Sequence, residues 1–204
     1  MTDSTRPAPH EEPHHERQDE QPPATPPDRA TAHLATSVRE IERHVAGGGW
    51  DGPVRVFALV STAAALEAEP GLAAQLAPEV VDAARGDEHH LTSVEQEGLP
   101  QVESLEELLG ILTWPGTVSG AAVVVERVVL PSAAEDAMPA DPDEALAYLM
   151  GHPDRQDVRI AVGALRTGET WSVLRTRAHD DDAAVAGGPD LVPGLTEAIR
   201  ATFL

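Results

Sequence analysis

Residues 158–178 read VRIAVGALRTGETWSVLRTRA, and the reading of this stretch decides the fold. Two runs rich in β-branched and aliphatic residues, Val158 to Leu165 and Thr170 to Ala178, flank Thr167-Gly168, where a chain reversal is easiest. The pattern predicts a β-hairpin, and a hairpin pairs its strands antiparallel. Outward from it, Gly120 to Leu130 is an unbroken apolar run with Val123, Val124 and Val125 at its centre, the composition of a strand covered on both faces. Val54 to Val60, behind Asp51-Gly52-Pro53, is a shorter strand of the same kind.

Helices fill the intervals. Leu34, Val38, Ile41 and Val45 keep the period of one helix face and predict a helix over 31–46, stopped by Gly47-Gly48-Gly49. Residues 63–77 are helix-forming but broken at Pro70-Gly71, which predicts two short pieces. Residues 78–91 read as a polar connector. Thr92-Ser93-Val94-Glu95 and Ser104-Leu105-Glu106-Glu107 both have capping-box spacing and predict a helical turn and a helix. Asp141-Pro142-Asp143-Glu144 opens another helix, with an N-cap, a proline at the first position and acids in the first turn. Leu191, Leu195, Ile199 and Phe203 mark a last one behind Pro193. The fold class expected is α+β: a mainly antiparallel sheet of about four strands with helices packed on it. Residues 31–204 are expected to form a single domain with a helical insert at 62–113. Residues 1–30 hold seven prolines, three histidines and seven acids, too little to bury, and are expected to be a disordered tail.

Composition excludes more chemistry than it suggests. The chain has 204 residues, with 35 Asp plus Glu against 14 Lys plus Arg, a formal net charge of −21. All the cations are arginine, and Cys is absent. A lysine Schiff base, a Walker phosphate lysine, disulfides, thiol nucleophiles and thiolate metal sites are therefore impossible. The negative charge disfavours nucleic acid and anionic membranes as partners. The opening Met1-Thr2-Asp3 has neither basic nor apolar character, and no apolar run reaches membrane-spanning length, so a cytoplasmic protein is expected.

Four motifs occur in one order: Leu91-Thr92-Ser93-Val94-Glu95-Gln96, Glu126-Arg127-Val128-Val129-Leu130-Pro131, His152-Pro153-Asp154-Arg155-Gln156-Asp157-Val158-Arg159 and Asp190-Leu191-Val192-Pro193-Gly194-Leu195. Over residues 34–204 the chain resembles an actinobacterial family of uncharacterised proteins. The resemblance implies a bacterial cytoplasmic protein and carries no activity or site residues with it. The order of elements is also similar to that of type III secretion chaperones, a likeness of architecture from which the inserted helices depart.

Candidate sites rest on residue type and period. Arg127, Arg159, Arg175 and Arg177 lie among apolar strand residues, and Trp171, Val173, Arg175 and Arg177 share a face by the two-residue period. Converging guanidiniums could clamp a carboxylate or phosphate bidentately; with 35 acids available, each more simply pairs within the protein, with Glu126 beside Arg127, Asp157 near Arg159 and Glu169 near the hairpin turn. Trp114 and Trp171 would mark a partner surface if exposed together, and otherwise serve packing. His179-Asp180-Asp181-Asp182 offers hard oxygen ligands without EF-hand spacing, and reads more simply as a solvated loop. His10, His14 and His15 form a loose histidine tract, and His89-His90 reads as plain loop. Ser119, Ser172, His152 and Asp154 supply the residue types of a hydrolase without a nucleophile elbow, and Glu95 with Glu97 form an acid/base pair by type alone. No metal, cofactor or catalytic residue is assigned. The scaffold is better signalled than any catalytic constellation, which points to a non-catalytic binding or protein-interaction protein. The alternative is an enzyme acting on a small anionic substrate through the hairpin arginines.

Overall fold

The computed structural model describes residues 28–204. Helix α1 (Arg29–Ala46) begins before its apolar period, because the Asp28 carboxylate accepts from the Thr31 N–H at 2.8 Å and caps the first turn. Residues 28–30 thus belong to the helix start and not to a tail; the rest of the tail expectation, with His10, His14 and His15, lies outside the described residues. Then follow β1 (Arg55–Ser61), α2 (Thr62–Ala68), a 3-10 turn (Pro70–Ala74), α3 (Pro78–Gly86), β2 (Leu91–Glu95) and α4 (Leu105–Ile111). The second half holds β3 (Gly120–Val129), α5 (Ser132–Glu135), α6 (Pro142–Gly151), β4 (Gln156–Leu165), β5 (Thr170–Thr176), β6 (Ala186–Gly188) and α7 (Pro193–Ala201).

The fold is α+β, with an open antiparallel sheet in the order β2-β1-β3-β4-β5-β6. It has six strands where about four were expected. One extra strand is β2, the stretch read as a capping box at Thr92. Its Thr92 hydroxyl meets Thr62 Oγ1 at 2.7 Å, and its Glu95 carboxylate is held by both nitrogens of an Arg55 fork instead of folding back on the backbone. Pairing with β1, Phe57 opposite Glu95 and Ser61 opposite Leu91, overrides the local cap signal. The other is β6, three residues with no local pattern, paired to β5 through Ser172, Val173 and Leu174. The expected connector at 78–91 instead contains α3, which starts with Pro78 in its first turn and buries only Val81 and Ala84. At Ser104 the cap forms, its hydroxyl accepting from the Glu107 N–H at 3.1 Å, while the Glu107 carboxylate takes the Glu103 N–H.

The sheet is covered on both faces, which is why β3 reads as a continuous apolar run. Phe57, Leu59, Ala122, Val124, Ala161 and Val173 face α1, which contributes Leu34, Val38, Ile41 and Val45. Val56, Val123, Val125, Ile160 and Val162 face the opposite way, against Leu108 and Leu109 of α4 and Ile199 of α7. Helix α1 lies directly against Gly163 of β4, where a Cβ would come within 2.5 Å of Val38 Cγ2. No helix among the described residues is long and apolar enough to cross a membrane.

Candidate functional site

The two-residue period that gives the α1 face its apolar residues continues to one end of the sheet, and there the residues become charged. Glu126, Arg159 and Arg175 stand in register across β3, β4 and β5. Arg159 and Arg175 face each other directly, an arrangement that needs a counter-charge between them. Helix α1 supplies it: Glu42, four residues beyond Val38 on the buried face, accepts from Arg175 Nε at 2.7 Å and Nη2 at 2.8 Å and lies 3.6 Å from Arg159 Nη1. Glu42, Arg159 and Arg175 are 1%, 0% and 3% exposed, so a charged triad lies inside the protein. Each charge is desolvated and held by opposite charge and hydrogen bonds.

The rim completes the pairing. Glu126 accepts from Arg159 Nε at 3.1 Å and Nη2 at 2.8 Å, and the Gly49 carbonyl takes a further Arg159 N–H. Arg175 also donates to Asp182 at 2.6 Å and Asp180 at 3.2 Å. The loop after α1 closes the top. Trp50 lies with its ring 4.3 Å from the Arg159 guanidinium and 5.2 Å from that of Arg177, and its indole N–H donates to Asp180 at 2.9 Å. Asp51, at φ 66° in the left-handed region that aspartate tolerates, donates its N–H to Glu126 and pairs with Arg177. The triple glycine therefore ends α1 and also brings a carbonyl and an indole onto the cluster.

Of the sequence candidates, Arg159, Arg175 and Arg177 come together here, each engaged by carboxylates of the chain itself. Arg127 projects from the other face of β3, exposed, with its guanidinium donating to the Glu126 carbonyl and making no ion pair among the described residues. Asp180 and Asp182 of the acidic loop serve Arg175, and Asp181 caps the following turn, accepting from Ala183 N. Among the described residues, no group of three His, Asp or Glu side chains is arranged to hold a metal ion. Ser119 adjoins Leu165 at one end of β4, whereas His152 precedes Gln156 at the other, a strand length of about 30 Å. His90 bonds Thr62 Oγ1 through Nδ1 at 2.9 Å, and Glu95 is committed to Arg55. Trp114 and Trp171 pack on opposite faces of the sheet, half-buried. Trp114 donates to Thr202 at 2.9 Å, and Arg166 fastens the same corner through the carbonyls of Trp114, Val118 and Phe203.

Glu42 was not singled out from the sequence. Its signal was an acid inside the i, i+4 stripe of α1, which a solvent-facing position would not produce.

Toward the α4 face of the sheet opens a cleft of about 880 Å³, lined in part by the Arg55–Glu95 pair. Its apolar wall is Val54, Leu99, Val102, Leu105 and Leu108, and its rim carries Glu103, Glu106 and Arg127. Glu103 and Glu106 are exposed and form no ion pair among the described residues.

Three carboxylates of this region, Asp182, Asp180 and Glu95, titrate low. Hydrogen bonds from Arg175 and then Arg43 hold Asp182 below the usual carboxylate range. The Trp50 indole N–H and then the Arg175 charge do the same for Asp180, and Arg55 does so for Glu95. Depressed folded-state values mean that the unfolded chain binds more protons in acid, so stability rises with pH in that window. The contribution is complete above the unfolded values, about pH 4, and is lost as pH falls through the lower folded values. Denaturant midpoints followed from pH 6 to pH 2 should fall steeply below about pH 4. Asp182→Asn should flatten that fall, and an unaltered profile would refute the assignment.

Residues 34–204 match the model of a family described as PPA1309-like protein. No curated protein and no solved structure matches the chain.

Proposed function

The chain belongs to the PPA1309-like protein family, and on that premise we propose that it is a non-catalytic binding protein whose cleft takes an extended segment of a partner protein. The segment would carry an apolar anchor flanked by basic residues. The observation that supports this reading is the contrast between neighbouring regions. Arg159, Arg175 and Arg177 are taken up by Glu42, Glu126, Asp180, Asp182, Asp51 and Asp157, while the cleft beside them has an apolar wall and free acids. The lining mixes that apolar wall with Gln96, Gln101, Ser104 and the acids, which suits a segment that sets an apolar anchor among polar and basic residues. A protein of net charge −21 steers cationic partners toward it.

A peptide array that varies one apolar residue between arginines and lysines, read with the full chain, supplies the probe. The tightest peptide is then followed by fluorescence anisotropy. Glu103→Lys with Glu106→Lys should weaken its binding at least about tenfold with little change in thermal midpoint, since both residues are exposed. An array without signal, or binding indifferent to the reversal, would overturn the reading.

One observation favours the enzyme alternative: Arg127, without an ion pair among the described residues, stands where the cleft meets a smaller pocket lined by Trp50, Asp157 and Arg177. A small anion bound there should raise the thermal midpoint of the wild type and not of Arg127→Ala. Titrations with phosphate, citrate and acetate distinguish the two.

A further inference from the structure

Helix α6 lies on the excursion between β3 and β4 and buries none of its residues. Ala145, Tyr148 and Leu149 are half-covered by the body, so the helix has an inner side and an outer one. The outer side is apolar. Leu146 is 59% exposed and Met150 51% exposed. At 3.6 residues per turn Met150 lies about 40° and Asp143 about 60° around the helix from Leu146, so all three share one stripe. The stripe has opposite charges at its two ends. Asp143 stands in the first turn, and Arg155 follows the last, its guanidinium 3.6 Å from the Met150 sulfur. Neither forms an ion pair among the described residues.

We propose that α6 is a self-association surface: two copies of this chain pack their α6 helices antiparallel about a two-fold axis. Leu146 and Met150 of one copy lie against those of the other, and each Asp143 meets the Arg155 of the second copy. The occupant is a second copy because the stripe is complementary to its own reverse. An apolar centre with an acid at one end and a base at the other satisfies both ends at once only when a like stripe is turned end over end, the isologous contact of a two-fold dimer. The net negative charge of the two bodies opposes their approach, but screening confines that repulsion to about 8 Å at physiological ionic strength, so the contacting pairs decide. This surface is separate from the cleft, and the inference does not depend on the peptide reading.

The test is sedimentation equilibrium and native mass spectrometry of the full chain over a range of concentrations. The wild type should show a concentration-dependent monomer–dimer equilibrium, and Leu146→Asp with Met150→Asp should shift it at least tenfold toward monomer with an unchanged circular dichroism spectrum. Charge exchange gives a sharper result. Asp143→Arg alone sets arginine against arginine, and Arg155→Glu alone sets carboxylate against carboxylate, so each variant by itself should be monomeric. Mixed, the two chains restore both pairs and should form a one-to-one heterodimer. A wild type that stays monomeric at every concentration overturns the proposal. So does a dimer indifferent to Leu146→Asp with Met150→Asp, or a mixture that stays monomeric.

Discussion

Replacing Glu42 by alanine is expected to lower the free energy of unfolding by roughly 3–5 kcal/mol, because it leaves two buried guanidiniums without their shared carboxylate. Arg175 would keep Asp180 and Asp182, which are half exposed, and Arg159 would keep Glu126. Neither of these bridges the two cations; among the described residues Glu42 is the carboxylate that pairs with both. Against a total stability of about 5–15 kcal/mol, the loss should bring the thermal midpoint down by roughly 6–20 °C. Glu42→Gln, which keeps the shape and one acceptor but removes the charge, should fall between. The converse is equally specific. Glu42→Leu, Arg159→Met and Arg175→Leu together remove the buried charges as a set, and should return most of the lost stability or exceed the wild type. Thermal and urea melts of the single, conservative and triple variants decide it. A Glu42→Ala melt within about 1 kcal/mol of wild type would mean that water reaches the triad and that its burial is not what the structure implies.

If the triple variant folds and still binds the basic peptide, the cluster is scaffold and the cleft alone carries binding. If it folds and loses peptide binding, the lining of the cleft, Arg55 and Glu95 included, depends on the cluster. The separation matters because buried ionic groups neighbour binding sites for two reasons: they recognise ligands, or they fix the register of elements that do. Here the triad joins α1 to β4 and β5, and it holds Gly49 and Trp50 in place above β3 and β4.

What the sequence made legible follows from whether a signal was local. Helix α1, β3, the β4–β5 hairpin and α7 each carry a local pattern that their own burial imposes, and all four exist; their ends differ, since β5 stops at Thr176 and leaves Arg177 in a 3-10 turn, and Leu191 and Phe203 flank α7 without belonging to it. Strand β2 was hidden because Thr92 and Glu95 have the spacing of a helix cap. Only Arg55 and Thr62, more than 25 residues away in the chain, reveal that their side chains are already engaged. Strand β6 is a glycine-containing triplet whose sole support is β5. The arginines were legible as a convergent group, since strand alternation gives faces, but their partners were not. The expected neighbours were acids close in sequence, such as Asp157 for Arg159. Arg159 is instead hydrogen-bonded to Glu126 on β3, and the counter-charge that it shares with Arg175 is Glu42, on a helix more than 110 residues earlier. Charge pairing across a sheet and a helix is set by tertiary geometry, which no local window contains. What the sequence did contain was the anomaly that announces it, an acid on an apolar helix face.

The seat of α1 on the sheet gives the second large effect. Gly163 lies inside β4, two residues before its end, where glycine ordinarily weakens a strand. Its reason is the approach of α1: a Cβ there would lie 2.5 Å from Val38 Cγ2 and 3.0 Å from Leu34 Cδ1. Val38 is fully buried and β-branched, so its methyl cannot swing aside, and the clash has to be relieved by lifting the helix. Lifting α1 draws Glu42 away from Arg175 one turn further along, so steric strain and charge separation act together. Gly163→Val is therefore expected at or above the upper end of the usual cost of overpacking, about 3 kcal/mol, and Gly163→Ala near 1–3 kcal/mol. Combining Gly163→Ala with Val38→Ala removes the atom that the new methyl would meet. The pair should then cost less than the sum of the two single changes by about 1 kcal/mol or more, the signature of direct contact. Urea midpoints for the four members of this cycle supply the measurement. Simple additivity would show that α1 does not rest on Gly163. A favourable coupling would establish the close approach that carries Glu42 into the sheet.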